Sequence, residues 1–103
     1  MELNLEEGTI EFVIRKNKPK LNNGVFHNLF SYANDLGKIS ITKTKSNFLI
    51  FLHQFGKIKT KAKVDVSKLE DKDHHIAATW SIKDEKIVLY VDGVKVAEEK
   101  MKF

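Results

Sequence analysis

The chain has 103 residues, of which 42% are hydrophobic and 31% charged, the balance of a folding globular protein, and its length is expected to form one domain over residues 1–103. It contains no cysteine, which excludes disulfides, thiolate nucleophiles and cysteine-ligated zinc. No run reaches the roughly 20 apolar residues that cross a bilayer, Met1 to Gly8 is acidic and polar where a signal peptide is basic and then apolar, and the net charge of +4 is carried almost entirely by lysine, Arg15 being the one arginine.

The apolar residues follow a period of 2, which is the spacing of strands. In Gly8 to Lys16, Ile10, Phe12 and Ile14 share one face and Thr9, Glu11 and Arg15 the other, with Val13 breaking the pattern. Asn17, Lys18, Pro19 and the run Asn22-Asn23-Gly24 read as a turn-rich link. Val25 to Tyr32 is aromatic-rich strand material closed by Asn34, Asp35 and Gly37. Lys38 to Thr44 sets Ile39 and Ile41 against Ser40, Thr42 and Thr44, and Lys45-Ser46-Asn47 leads as a hairpin connection into Phe48 to Gln54, apolar on both sides and so a central strand. From Lys57 to Val66 the alternation is cleanest, with Lys57, Lys59, Lys61 and Lys63 opposite Ile58, Ala62, Val64 and Val66.

Ser67-Lys68-Leu69-Glu70 has the form of a capping box and predicts a single helical turn. His75 to Ser81 and Lys86 to Val91 are strands again. Asp92-Gly93 between Val91 and Val94 is a hairpin signal, because a type I' turn needs positive φ at both central residues. Past it the apolar register moves from even positions (Val94, Val96) to odd ones (Met101, Phe103), which predicts a bulge near Ala97 to Glu99. With Leu3 and Leu5 as an opening strand, the reading is an all-β, antiparallel jelly-roll-like β-sandwich of eight or nine short strands.

Three segments in order, Glu7-Gly8-Thr9-Ile10-Glu11-Phe12-Val13-Ile14, His74-His75-Ile76-Ala77-Ala78-Thr79-Trp80 and Leu89-Tyr90-Val91-Asp92-Gly93-Val94-Lys95-Val96-Ala97, resemble the laminin-G-like domains of the concanavalin A-like lectin/glucanase jelly-roll superfamily. Leu29-Phe30-Ser31 stands where that family often has a similar triplet, so the resemblance spans about residues 7–99. The family usually carries Trp where this chain has Val13, and an aromatic where it has Asp73. Such domains also run longer, so the chain reads as a minimal or truncated version. The resemblance therefore implies a sheet edge or apolar face without its usual cover, and a homodimer is one way to supply it. It further implies calcium at loop acids and carbonyls, for which Asn34, Asp35, Asp71, Asp73 and Asp92 are the candidates, although such residues are common in plain turns.

Among individual side chains, Trp80 reads as a core residue, with a sugar-stacking platform as the alternative. Tyr90 has the opposite parity to Ile87, Leu89 and Val91, and with Tyr32 it is the aromatic candidate for a binding face. His74 and His75 point to opposite faces if extended and cannot share one metal ion, so no zinc site is expected. Catalysis is not expected either. The glucanase branch uses carboxylates alternating along one strand, and here Glu11 stands alone while Glu98-Glu99 diverge; there is also no G-x-S-x-G elbow, P-loop or H-E-x-x-H.

Four lysines at roughly 7 Å intervals form a positive line suited to a sulfated glycan or a nucleic-acid backbone, and equally a device against edge-to-edge aggregation. Sequence-specific nucleic-acid reading favours the planar fork of arginine, so nothing points to it, and nothing points to a membrane. The expected role is a non-catalytic module that binds a glycan or a protein partner through a sheet face or loops. The alternatives are a structural protein that self-associates through a sheet edge and a general polyanion binder. The missing leader points either to the cytoplasm or to an excised piece of a surface protein, without choosing between them.

Overall fold

The computed structural model describes residues 3–16, 21–70 and 72–102. All regular structure in it is β: eight antiparallel strands in two four-stranded sheets. They are β1 (Glu7–Ile14), β2 (His27–Asn34), β3 (Gly37–Lys43), β4 (Phe48–Phe55), β5 (Ile58–Asp65), β6 (His74–Ser81), β7 (Lys86–Val91) and β8 (Val94–Lys100). One sheet has the order β1-β6-β7-β8 and the other β2-β3-β4-β5. The second is therefore a plain meander, and the first a three-strand meander with β1 laid against β6.

Alternation explains the packing. Inward positions Ile39, Ile41, Leu49, Phe51 and Ala62 of one sheet and Ile76, Ala78, Trp80, Ile87 and Leu89 of the other are all buried, and they meet in one core. Trp80, 3% exposed, is the largest member. Its indole lies 6.3 Å from the Phe51 ring and 6.4 Å from His53, between centroids, and donates to the Asn4 carbonyl oxygen at 2.8 Å. The cross-strand neighbour of Trp80 is Gly8, where a Cβ would stand 2.6 Å from the indole, so glycine at this position is what admits the ring.

Turns follow local chemistry. Asp92 and Gly93 take φ of 54° and 80°, both positive, as the type I' hairpin requires. Asn47, at φ 63°, closes the β3–β4 turn through its N–H to the Thr44 carbonyl oxygen at 3.0 Å.

Several sequence expectations are corrected. Leu3 and Leu5 form no strand, although Leu5 is buried; its carbonyl oxygen is held by His53 Nε2 at 2.8 Å, a side-chain tie in place of a ladder. Val25 and Phe26 precede β2 and are about half exposed. The capping box makes no helix: Asp65 Oδ1 takes the Ser67 N–H at 2.8 Å, and the segment becomes a turn closed by Leu69 N–H to the Val66 carbonyl oxygen. The bulge falls one residue early. Leu89 faces Ala97 and Tyr90 faces Lys95, which leaves Val96 as the inserted residue, after which Met101 turns inward and is buried. Asn17 to Lys20 and Phe103 lie outside the described residues.

Among the described residues, four polar ones are buried with this core: Lys43, His53, Thr60 and His74. Thr60, directly across from His53, has a buried Oγ1 without a hydrogen-bond partner among the described residues. A buried unpaired hydroxyl is a net cost, so Thr60→Val is expected to stabilise the fold by about 1 kcal/mol. In thermal denaturation this corresponds to a rise of about 4–8 °C in Tm; an unchanged or lower Tm would contradict it.

Candidate functional surface

The outer face of the β2–β5 sheet carries the most distinctive chemistry. Lys59, Lys61 and Lys63 are exposed and alternate along β5, opposite Gln54, Leu52 and Ile50 of β4. Gln54 is in turn opposite Lys38, which extends the positive charge across the sheet to β3. Phe48, Ile50 and Leu52, only half-buried, form an apolar ridge beside the lysines, with Ser40 and Thr42 on its other flank. Lys63 Nζ sits 5.4 Å from the centroid of the Phe48 ring, a cation over an aromatic face. Among the described residues no carboxylate lies within salt-bridge reach of Lys38, Lys59, Lys61 or Lys63. Asp65 ends the row, and the Ser67 hydrogen bonds hold its carboxyl below the usual carboxylate range.

Lys57 does not belong to the strand row. It occupies the turn between Phe55 and Ile58, whose other residue, Gly56, has φ 60°, so the row is three strand lysines with Lys57 at its end. Lys38 was legible by parity, since it falls with Ser40 and Thr42. The ridge was not, because an apolar run on both faces reads as full burial.

The two tyrosines do not come together. Tyr32 lies on edge strand β2 opposite Ile39 and packs against the core, its hydroxyl accepting from Asn34 Nδ2 at 3.4 Å. Tyr90 is on the outer face of the other sheet, between Ala77 and Lys95. No shared aromatic platform results.

Of the loop candidates, Asn34, Asp73 and Asp92 are engaged within the protein. Asn34 Oδ1 accepts from Leu36 N at 2.8 Å, and Asp73 accepts from Lys16 N at 2.7 Å with Arg15 at 4.0 Å. Asp35 lies in the β2–β3 turn, in the other sheet from Asp73 and Asp92, and Asp71 lies outside the described residues. Among the described residues no three His, Asp or Glu side chains converge as metal ligands.

Asp92 and His74 form a different kind of centre. His74 Nδ1 lies 2.7 Å from Asp92 Oδ2 and Nε2 lies 2.8 Å from the Glu70 carbonyl oxygen, while Asp92 Oδ1 accepts from His75 N at 2.9 Å. Both imidazole nitrogens therefore face acceptors, which is the environment of an imidazolium. Burial pulls His74 down, yet the Glu70 carbonyl and the Asp92 carboxylate outweigh it and leave the imidazole above its ordinary value. Burial pushes Asp92 up, but its bonds to His74 and His75 hold it below the usual range. His75 points the other way, 3.8 Å from Glu11 on the outer face, as the opposed parity of the pair requires.

Lys43 was missed as a centre, although it shares parity with the inward Ile39 and Ile41. Fully buried, its ammonium is held by Asn23 Oδ1 at 2.8 Å and Asn47 Oδ1 at 3.1 Å, and burial lowers its pKa. The same oxygens accept from Val25 N and Gly24 N, so the link before β2 is knotted onto the β3–β4 turn.

The stabilisation from His74 is fully present below its unfolded value near 6.5 and is lost as pH rises through the raised folded value; that from Asp92 is present above its unfolded value near 3.8 and is lost as pH falls through the depressed one. His53, lowered by burial, works oppositely to His74, its stabilisation falling below pH 6.5. Site-resolved NMR titration is therefore the measurement. His74 is expected to titrate above 6.5, and Asp92→Asn to bring it down while His53 stays low. A His74 that titrates at or below its unfolded value would contradict the imidazolium.

Compared with known proteins, the chain matches no family model, no curated protein and no solved structure.

Proposed function

We propose that the chain is a non-catalytic binding module, a laminin-G-like, jelly-roll-type sandwich, that holds a polyanion on the outer face of the β2–β5 sheet. One observation carries the reading: three exposed lysines in line on β5, joined by Lys38 and Lys57, with no carboxylate partner among the described residues. A strand repeats every two residues, about 7 Å, so the ammonium groups form a linear track rather than a point clamp. Lysine, a hydrated point charge, suits sulfate or phosphate strung along a chain better than bidentate recognition of one group. The ligand chemistry is thus a repeated anion on an extended polymer, whether a sulfated glycan or a nucleic-acid backbone. The absence of enzyme motifs and of paired strand carboxylates in the sequence supports a role without chemistry.

Self-association through a sheet edge is the second reading. It is favoured by a mainly apolar cleft of about 550 Å³ between edge strands β1 and β2, lined by Leu3, Ile10, Phe12, Leu29 and Phe30 together with Thr9 and Glu11.

Heparin and single-stranded DNA, titrated across ionic strength, test the polyanion reading and separate its two sources. Affinity is expected to fall steeply with salt, and the Lys59→Gln/Lys61→Gln/Lys63→Gln variant to lose about 0.7–0.9 of the logarithmic salt slope for each lysine removed. Binding indifferent to salt, or unchanged in the triple variant, would retire it.

A further inference from the structure

The second reading leaves open which edge a copy would use, and the four sheet edges are not alike. Sheets protect their free edges with bulges, with charges or by shortness. The β2 edge carries a bulge between Asn28 and Phe30, and the β8 edge carries one at Val96. The β5 edge carries three lysines. β1 has neither a bulge nor a lysine row: its eight residues pair with β6 in unbroken register from Glu7 opposite Ser81 to Ile14 opposite His74, and its only charges are the two outward acids Glu7 and Glu11.

The side chains of β1 are also arranged to match their own copy. Along its outer face acidic Glu7 and Glu11 come first and Arg15 follows, so an antiparallel pairing of two β1 strands brings acid against base. Same-face partners in such a pair must share parity, and over residues 11–15 the register that turns about Val13 sets opposite charges together on one face and apolar residues together on the other. It sets Glu11 opposite Arg15 of the partner subunit, twice by symmetry. On the inner face it sets Phe12 opposite Ile14 of the partner subunit, extending the apolar wall of the cleft. At the twofold axis Val13 meets its own copy, and Val13 is otherwise an isolated apolar side chain 53% exposed on an outer face. A register centred on Glu11 would oppose two carboxylates, which like-charge repulsion disfavours. The present neighbours of the charged pair do not hold it back: Arg15 to Asp73 at 4.0 Å and Glu11 to His75 at 3.8 Å are both exposed contacts.

We infer that two copies of this chain join through the C-terminal end of β1, residues 11–15, antiparallel and centred on Val13, so that their two four-stranded sheets run on into each other. This rests on the self-association reading and adds the edge and the register to it. The pairing is isologous and closes on itself, so it ends at a dimer.

The experiment combines sedimentation with single-cysteine cross-linking, which is clean because the natural chain has no cysteine. Across a sheet two opposed residues have Cα atoms about 4.5–5.5 Å apart, within disulfide reach, so Val13→Cys is expected to give a covalent dimer under mild oxidation and Ser31→Cys, on the β2 edge, is not. Val13→Lys, Glu11→Arg and Arg15→Glu are each expected to loosen the dimer about tenfold, and the double exchange Glu11→Arg/Arg15→Glu to restore it. Circular dichroism on each variant verifies the fold, and the cysteine pair gives an answer even if a charge variant unfolds. A wild-type chain that sediments as a monomer at high concentration would sink this inference together with the assembly reading. A wild-type dimer that ignores Val13→Lys and cross-links at Ser31→Cys would sink the inference alone.

Discussion

Each sheet here can bury only one of its faces, and strict alternation along eight short strands decides which side chains meet between the two layers. Everything else hangs on keeping that alternation in phase. Where it holds without interruption, as in β1 against β6, an entire strand is committed by the placement of a single residue: Gly8 must lie under the Trp80 ring, and Ile10, Phe12 and Ile14 then face inward as a group. Where it cannot hold, the chain inserts a residue. Val96 does so in β8, and the consequence is that Glu98 faces out while Met101 faces in.

The same rule separates what the sequence made legible from what it did not. The hairpin at Asp92-Gly93, the central position of β4, the opposed directions of His74 and His75 and the outward row at Lys59, Lys61 and Lys63 are all consequences of parity or of local turn chemistry. They could be read from neighbours in the chain. What could not be read depends on partners distant in sequence. Leu5 is buried through the reach of His53 rather than through a strand, and Lys57 has the parity of the row but falls in the two-residue turn that pairs Phe55 with Ile58. In the Ser67 box Asp65, two residues earlier, captures the Ser67 N–H that the Glu70 carboxylate would have taken.

The buried polar groups follow a different logic from the core. Lys43, His53 and His74 each tie an irregular stretch to a strand: the link before β2, the residues before β1 and the loop before β6. Non-strand backbone near a sandwich needs partners for its donors and acceptors, and long polar side chains that reach out of the core supply them. These ties do not depend on ionisation in the same way. Burial favours a neutral His53, whose Nε2–H bond to the Leu5 carbonyl either protonation state can make, whereas the two bonds of His74 together call for a charged ring, and Lys43 holds two amide oxygens that already have backbone donors.

The strand order has a kinetic consequence. Residues His27 to Asp65 make one sheet from successive hairpins, each closed over a short turn, whereas β1 finds its ladder partner, β6, across most of the chain. Loop-closure entropy grows with the length enclosed, so the meander can assemble early from nearby contacts and β1 docks late. Until it does, the flank of β6 stays uncovered, and the nascent molecule offers the kind of unpaired ribbon that intermediates of β proteins use to find one another.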